Sequence, residues 1–316
     1  MREAAGLARR EAPSPAEGDA PERTAELAVA RIGLRCRACG GAGRERFRKR
    51  GFVIAECGVC ASRFVPDPLP STQSYDERYF DDRAATGYAD YLSDRDLIVQ
   101  NFERRVEWLA SLAGGKRLLD VGAAFGFFLR AARKHGFDPI GVEPVVACAD
   151  FARRELGETV VPSTLEDADL PRASFDVITL FDVIEHLRDP RAALARVREL
   201  LRPGGLVVVE TGDLDALLSR VCGSRWYYYD PPQHLTYFSQ ASLASMLHTA
   251  GFGAPVGVGH LGREVSLRNV TFQLARSLGP GIFGDVSRAV SRSAAGRWTF
   301  HVPDRGNAFV LAARRP

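Results

Sequence analysis

A glycine-containing loop constrains the fold of this chain more than any other stretch. The sequence Asp120-Val-Gly-Ala-Ala-Phe-Gly follows directly on a short apolar segment that begins at residue 117. Gly122 and Gly126 allow the tight turn that carries a chain from a parallel strand into a helix, and they let a ligand approach the backbone. The loop therefore predicts a strand–turn–helix unit at the carboxyl edge of a parallel sheet.

The rest of the pattern alternates strands with helices. Asp189 followed by Pro190 is typical of a helix start, as is Ser239 before a later amphipathic segment. A repeated βα pattern predicts an α/β fold with a doubly wound, mostly parallel, seven-stranded Rossmann-like sheet. The predicted strands span residues 117–121, 139–142, 159–161, 175–180, 206–211, 256–258 and 308–312.

An acidic residue at the end of the second strand indicates what the loop binds. Glu143 lies 23 residues after Asp120, where a carboxylate accepts hydrogen bonds from a ribose. A βα turn without a ligand is one alternative, and a nicotinamide dinucleotide is another. A dinucleotide requires a G-x-G-x-x-G loop for its pyrophosphate, whereas this loop carries the bulky Phe125. The loop favours a ligand without phosphates.

Four motifs in order, LLDVGAAFG, IGVEP, SFDVITLFDVIEHLRDP and LLRPGGLVVVE, give the chain a family resemblance. Over residues 117–251 it resembles the class I S-adenosylmethionine-dependent methyltransferases of the small-molecule type, which include ubiquinone-type O-methyltransferases. Ala124 stands where the family often has glycine. The resemblance implies S-adenosyl-L-methionine as the cofactor. It places these residues beside it: Asp120, Gly122, Ala124 and Gly126 at the methionine end, Glu143 at the ribose, Glu166 at the adenine, and Phe181 and Asp182 at the border.

Four of the six cysteines occur as two C-x-x-C pairs, Cys36 with Cys39 and Cys57 with Cys60. Seventeen residues separate the pairs, a spacing that matches a four-thiolate zinc ribbon. Such a small unit needs the free energy of metal binding to fold, and four protein ligands leave no open position for catalysis. The spacing predicts a structural zinc ion.

Composition and segment patterns complete the predicted organisation. We expect a disordered tail over residues 1–30, a zinc ribbon over 31–68, a connector and helix over 69–115, and the methyltransferase domain over 116–316, with a helical insert at 260–305.

The chain lacks a run of 18 apolar residues and an apolar leader, which predicts a cytoplasmic protein that does not enter membranes. The formal net charge of +3 makes a nucleic-acid partner improbable. Arginine far outnumbers lysine throughout, so arginines 44–50 are not assigned to phosphate binding.

The stretch WYYYDPPQHLTYFS, residues 226–239, carries the candidate base. Its Asp-Pro-Pro resembles the DPPY element of amine methyltransferases, but that element follows the fourth strand, whereas this one follows the fifth and ends in glutamine. Sugar C-methyltransferases carry Y-H-E-H here, and only the last histidine, His234, matches. The resemblance implies His234 as general base, with His186 second. The aromatic residues could stack on a substrate or plug the sheet edge.

The sequence thus predicts an enzyme that methylates a small molecule, with a hydroxyl of a sugar or natural-product intermediate as the favoured acceptor. The zinc ribbon also occurs in sugar- and polysaccharide-pathway methyltransferases, which this chain resembles. Sugar C-methylation, ribosomal RNA methylation and a non-catalytic cofactor-binding role remain open alternatives. The oligomeric state is left open.

Overall fold

The structure is a computed structural model, and it describes residues 34–67, 91–278, 281–302 and 307–316. The predicted tail and most of the predicted connector lie outside these residues. None of the helices within the described ranges is both long and apolar enough to cross a membrane.

A seven-stranded sheet forms the centre of the larger domain, in the order β10-β13-β8-β7-β4-β5-β6. The five strands from β8 to β6 are parallel, and β13 runs antiparallel to both β8 and β10. The strands are β4 (Arg117–Val121), β5 (Asp138–Val142), β6 (Val160–Val161), β7 (Phe175–Phe181), β8 (Leu201–Gly212), β10 (Pro255–Gly259) and β13 (Ala308–Arg314). The predicted Rossmann-like, largely parallel sheet is confirmed.

Helices cover both faces of this sheet, as a parallel sheet with apolar strands requires. The helices that precede the insert are α1 (Arg95–Leu112), α2 (Phe127–Lys134), α3 (Val146–Glu155), α4 (Pro190–Leu200), the short and largely exposed α5 (Leu217–Cys222), and α6 (Gln240–Thr249). Asp189 caps α4 by accepting hydrogen bonds from the backbone N–H groups of residues 191 and 192, with Pro190 in the first turn. Ser239 and Ser242 form a capping box at the start of α6.

The cysteine segment forms a second, smaller sheet that the larger domain completes. Its strands are β1 (Gly43–Lys49), β2 (Phe52–Cys57) and β3 (Arg63–Phe64), and the fourth is β9 (Thr236–Tyr237). The short strand β9 belongs to the WYYYDPPQHLTYFS stretch and pairs with β3 in antiparallel register. We call residues 34–67 the ribbon. The ribbon and the domain therefore share one sheet.

The insert between β10 and β13 contains helices and a two-stranded sheet. Its elements are β11 (Arg263–Ser266), α7 (Leu267–Leu278), α8 (Gly281–Ser291) and β12 (Thr299–Val302). The side chain of Asn101 on α1 hydrogen-bonds to the backbone of β11 in the way that an adjacent strand would. Its amide donates to the carbonyl oxygen of Glu264 at 2.9 Å, and its oxygen accepts from the N–H of Glu264 at 2.8 Å. This pair of hydrogen bonds holds the insert against the domain.

Candidate active site

A cavity of about 660 Å³ opens at the carboxyl ends of β4, β5 and β7. In open parallel sheets this edge is where ligands bind. The cavity wall includes most of the predicted cofactor residues, namely Asp120, Gly122, Ala124, Glu143, Glu166, Phe181 and Asp182. His186 also lines the cavity, whereas Gly126 and His234 are not among the residues of its wall.

The glycine loop takes its shape from three residues with positive φ. Gly122 has φ 73°, and a Cβ atom there would lie 2.6 Å from the side chain of Val183, so only glycine fits. Gly126 has φ 79°, and its missing Cβ leaves room for Ala152 on α3. Gly126 therefore permits helix packing behind the loop. Ala124 adopts φ 45°, a conformation that costs an L-residue free energy and brings its N–H toward Glu143.

Glu143 is buried at the end of β5 and is bound by backbone groups on both carboxylate oxygens. It accepts a 2.8 Å hydrogen bond from the N–H of Ala124 and another of 2.8 Å from the N–H of Val145. Burial nevertheless raises the pKa of this carboxyl above its ordinary value. A carboxylate can accept about four hydrogen bonds, so two remain for hydroxyl groups in the cavity.

Asp120 at the end of β4 is buried and accepts a 2.6 Å hydrogen bond from the hydroxyl of Thr179 on β7. Burial raises the pKa of Asp120 to about 7, and the nearby carboxylate of Glu143 contributes to the shift. Asp120 and Glu143 thus place two carboxyl groups on one side of the cavity.

Asp182 follows the last residue of β7 and its side chain reaches the open interior of the cavity. Its φ of 53° is unusual for an aspartate, and its N–H is tied to the carbonyl oxygen of Glu210 at 3.0 Å. Surrounding protein atoms, and then the carboxylates of Glu185 and Glu210, raise the pKa of Asp182 to about 7. The side chain is accessible to solvent through the cavity, but protein atoms and two other carboxylates lie close around it.

The two candidate histidines lie against each other, with ring centroids 4.6 Å apart and planes at 83°. The Nδ1 of His186 lies 3.0 Å from the carbonyl oxygen of Gln233, and the Nδ1 of His234 lies 2.7 Å from that of Tyr228. Because a carbonyl only accepts, each Nδ1 carries the hydrogen and each Nε2 keeps its lone pair. Burial lowers the pKa of His186 to about 4 and that of His234 to about 3. His234 stands behind His186 and outside the cavity wall.

The aromatic residues of the WYYYDPPQHLTYFS stretch are packed between the domain and the ribbon. Trp226 and Tyr229 are fully buried, Tyr228 is nearly so, and none of the three lines the cavity. They form one apolar cluster with ribbon residues, including Ile54 and Val65. Of the two predicted roles, the plug matches this packing, and Asp230 faces Arg50 and Arg276.

Sequence reasoning missed the far wall of the cavity, which α1 and the insert supply. Its polar residues are Asn101, Arg105, Arg263, Glu264 and Asn269. Arg105 forms a buried bidentate ion pair with Glu210 at the end of β8, with one hydrogen bond of 2.6 Å. In the sequence, this pair is indicated only by Glu210, an acidic residue that directly follows three valines.

The four paired cysteines converge in the ribbon, with all Sγ atoms within 4.8 Å of one another. The Sγ atoms of Cys36 and Cys60 lie 3.7 Å apart, and those of Cys39 and Cys57 lie 3.5 Å apart. Sulfurs bound to one tetrahedral zinc ion at about 2.3 Å would be separated by nearly this distance. The donor set therefore fits a zinc ion.

The sheet order, the glycine loop and the acidic residue at the end of β5 define a Rossmann-like domain whose carboxyl edge suits a nucleoside-containing cofactor. The sequence model of a family described as "Methyltransferase domain" matches residues 91–254. The chain belongs to this family, which confirms the predicted class of enzyme.

Curated relatives share part of the chain. A ubiquinone biosynthesis O-methyltransferase from Rhodopseudomonas palustris (strain HaA2) is 30% identical over 170 residues, which cover 50% of this chain and 66% of that protein. One from Bradyrhizobium sp. (strain ORS 278) is 34% identical over 122 residues, which cover 37% and 47%. The chain thus spans about half to two thirds of the length of these relatives.

Among solved structures, the chain is similar to the Burkholderia thailandensis 1,6-didemethyltoxoflavin-N1-methyltransferase with bound 1,6-didemethyltoxoflavin and S-adenosylhomocysteine. The identity is 17%, the TM-score is 0.46, and the match covers 86% of this chain and 99% of that one. A putative methyltransferase from Bacillus halodurans C-125 is 13% identical with a TM-score of 0.49, over 68% and 98% of the two chains.

The buried ion pair leads to a prediction about stability. We expect Arg105→Met to lower the free energy of unfolding by about 3 kcal/mol, because the Glu210 carboxylate would stay buried and, among the residues that the structure describes, would keep Arg263, 3.8 Å away, as its one ion-pair partner. The double variant Arg105→Met/Glu210→Met should be less destabilised than the single variant. Urea unfolding of the original protein, both single variants and the double variant measures the difference, and additive effects of the two substitutions would contradict it.

Proposed function

We propose that this chain transfers a methyl group from S-adenosylmethionine to a hydroxyl oxygen of a small molecule. The observation that carries the proposal is the divided cavity. One half is built from the glycine loop, Glu143 and Glu166, and the other half from polar residues of α1 and the insert. The names of the curated relatives, which are O-methyltransferases, support oxygen as the methylated atom.

The residues of the first half suit the cofactor. Glu143 has hydrogen-bond capacity left for the ribose hydroxyls, and Glu166, which lines the cavity after β6, would meet the adenine. Asp167, its neighbour, instead binds the hydroxyl of Thr164 at 2.9 Å, which favours Glu166 for the adenine amine. When bound, S-adenosylmethionine supplies an electrophilic methyl group on sulfur.

The residues of the second half suit a hydroxylated acceptor. Asn101, Asn269 and Glu264 offer hydrogen-bonding groups along one wall, while Ile98, Phe102 and Val265 provide apolar surface. Such a mixture suits a sugar or natural-product intermediate that presents hydroxyl groups on an apolar frame. Burial of the acceptor between the two walls would align its oxygen with the methyl group and exclude water.

A proton must leave the acceptor hydroxyl as the oxygen–carbon bond forms, and we assign its acceptance to Asp182. A general base works best when its pKa lies near the operating pH, and Asp182 meets this condition inside the cavity. His186 is the second candidate, since its Nε2 is unprotonated, but its lowered pKa makes it a weaker base. His234 would then act by holding the ring of His186 in place.

The cofactor assignment predicts the effect of Glu143→Gln. We expect this change to weaken S-adenosylmethionine binding by about ten-fold or more, because a hydrogen bond to a charged group contributes about 1.5–3 kcal/mol. Glu155→Gln, an exposed substitution at the end of α3, is the matched control and should bind as the original protein does. Isothermal titration calorimetry measures both. If the unaltered protein shows no binding of S-adenosylmethionine, the proposed function is wrong.

The base assignment predicts a pH dependence. Because the pKa of Asp182 is raised to about 7, the active carboxylate predominates above that pH, so kcat/KM should rise through about pH 7. Asp182→Asn should lower kcat by about 100-fold or more and abolish this rise, because general base catalysis contributes about that much. Asp150→Asn on α3 serves as the control. A profile that keeps the same rise in Asp182→Asn would assign the base elsewhere, with His186→Gln as the next variant.

We further infer that the four cysteines of the ribbon hold a structural zinc ion. Their thiolates are also oriented by backbone N–H groups, as at 3.4 Å between Gly41 and the sulfur of Cys39. Purified protein should contain about one zinc per chain, as in four-thiolate structural sites. Cys60→Ser should lose most of this metal and lower the melting temperature, whereas Cys148→Ser, outside the cluster, should keep it. Full metal content in Cys60→Ser would contradict the assignment.

A further inference from the structure

A second cavity, of about 640 Å³, lies where the ribbon meets α5. Four arginines line it: Arg44, Arg46 and Arg63 from the ribbon and Arg220 from α5. The rest of the lining consists of Glu45, Phe47, Leu214, Ser219, Gly223 and Ser224. We call it the arginine cleft. Among the described residues, none lines both this cleft and the cavity at the sheet edge.

The strand register explains why these arginines meet. Arg44 lies opposite Glu56, and Glu56 lies opposite Arg63, so the three side chains stand in one row across β1, β2 and β3. A bulge in β1 leaves Arg46 without a partner in the ladder and turns it toward the same carboxylate. The arrangement follows from backbone geometry and not from arginine-rich composition.

Glu56 contacts all three ribbon arginines and cannot satisfy them all. Its oxygens lie 3.5 Å from Arg44, 3.1 Å from Arg46 and 3.3 Å from Arg63. Each guanidinium carries five N–H donors, whereas one carboxylate accepts about four hydrogen bonds. The other carboxylates at the cleft also have arginine partners, since Glu45 pairs with Arg48 and Asp215 with Arg220. Donors and positive charge are therefore in excess.

We infer that the arginine cleft binds the phosphate or diphosphate group of a small molecule. One guanidinium group can donate two parallel hydrogen bonds to two oxygens of a phosphate. A row of guanidinium groups can therefore bind several phosphate oxygens at once. The volume is in the range of small-molecule sites, and the lining is mostly polar, with Phe47 as a partly exposed apolar side chain. The formal net charge of only +3 favours a small ligand over a nucleic acid.

The test is titration of the intact protein with inorganic pyrophosphate in a calorimeter, with saturating S-adenosylmethionine present or absent. We expect saturable binding of one pyrophosphate that does not compete with the cofactor. Arg46→Gln should weaken it by about ten-fold, because one charge-assisted hydrogen-bonding group is lost. This substitution should not impair folding, since the Arg46 side chain is 45% exposed.

Arg153→Gln is the matched control, because it removes the same charge from α3, which does not line the cleft. Its pyrophosphate affinity should stay within about two-fold, since salt screens exposed distant charges. Absence of saturable binding, or equal weakening by both substitutions, would overturn the inference. Tighter binding of a single-stranded RNA oligonucleotide that both substitutions weaken would overturn it too, in favour of a nucleic-acid surface. Failure in either way leaves the methyltransferase proposal untouched.

Discussion

The position of the candidate active site depends on how the chain between β8 and α6 is held. Leu235 donates its N–H to the carbonyl oxygen of Glu185 at 2.7 Å, and its own carbonyl accepts from Val65 in the ribbon at 2.9 Å. Arg37 of the ribbon, itself buried, donates to the carbonyl oxygen of Arg188 at 2.6 Å. Two paths of hydrogen bonds thus lead from the ribbon to the segment after β7 that carries Glu185 and His186. The ribbon is a support for the site, because moving it would displace backbone groups that flank the cavity.

The raised pKa values at the site arise because several carboxyl groups are buried close together with few cations beside them. Asp182, Glu185 and Glu210 lie near one another, and Arg105 neutralises Glu210 in a buried bidentate pair. Glu185 is fully buried and its oxygens are held by the hydroxyls of Tyr228 and Thr211. Burial raises its pKa to about 7. The same desolvation that costs stability therefore holds the pKa of Asp182, the carboxyl that faces the cavity, at about 7, as the proposed general base requires.

Sequence predicted the features that depend on neighbours along the chain. The glycine loop, the cap at Asp189 and the alternation of strands all arise from local conformational preferences and side-chain periodicity. The far wall of the cavity arises from contacts between residues more than 150 positions apart, such as the pair of Asn101 and Glu264, and no local pattern encodes them. The candidate base shows the same limit. Family position indicated His234 as the base, and this stays a prediction. The hydrogen bond of its ring to Tyr228 and its edge-to-face contact with His186, which no local pattern encodes, set it outside the cavity wall.

The WYYY segment was compatible with a substrate wall or a plug, and its polar atoms explain why it is packed as a plug. The indole N–H of Trp226 donates to the side chain of Asn307 at 3.0 Å, and the hydroxyl of Tyr228 donates to Glu185. Arg63 of the ribbon donates to the hydroxyl of Tyr229, whose ring meets Phe47 edge-on at 5.0 Å. Buried tyrosine and tryptophan require such partners, and these partners come from both sides of the interface. Without the ribbon, an aromatic surface of the methyltransferase domain would be exposed, so the ribbon and the domain should unfold as one cooperative unit.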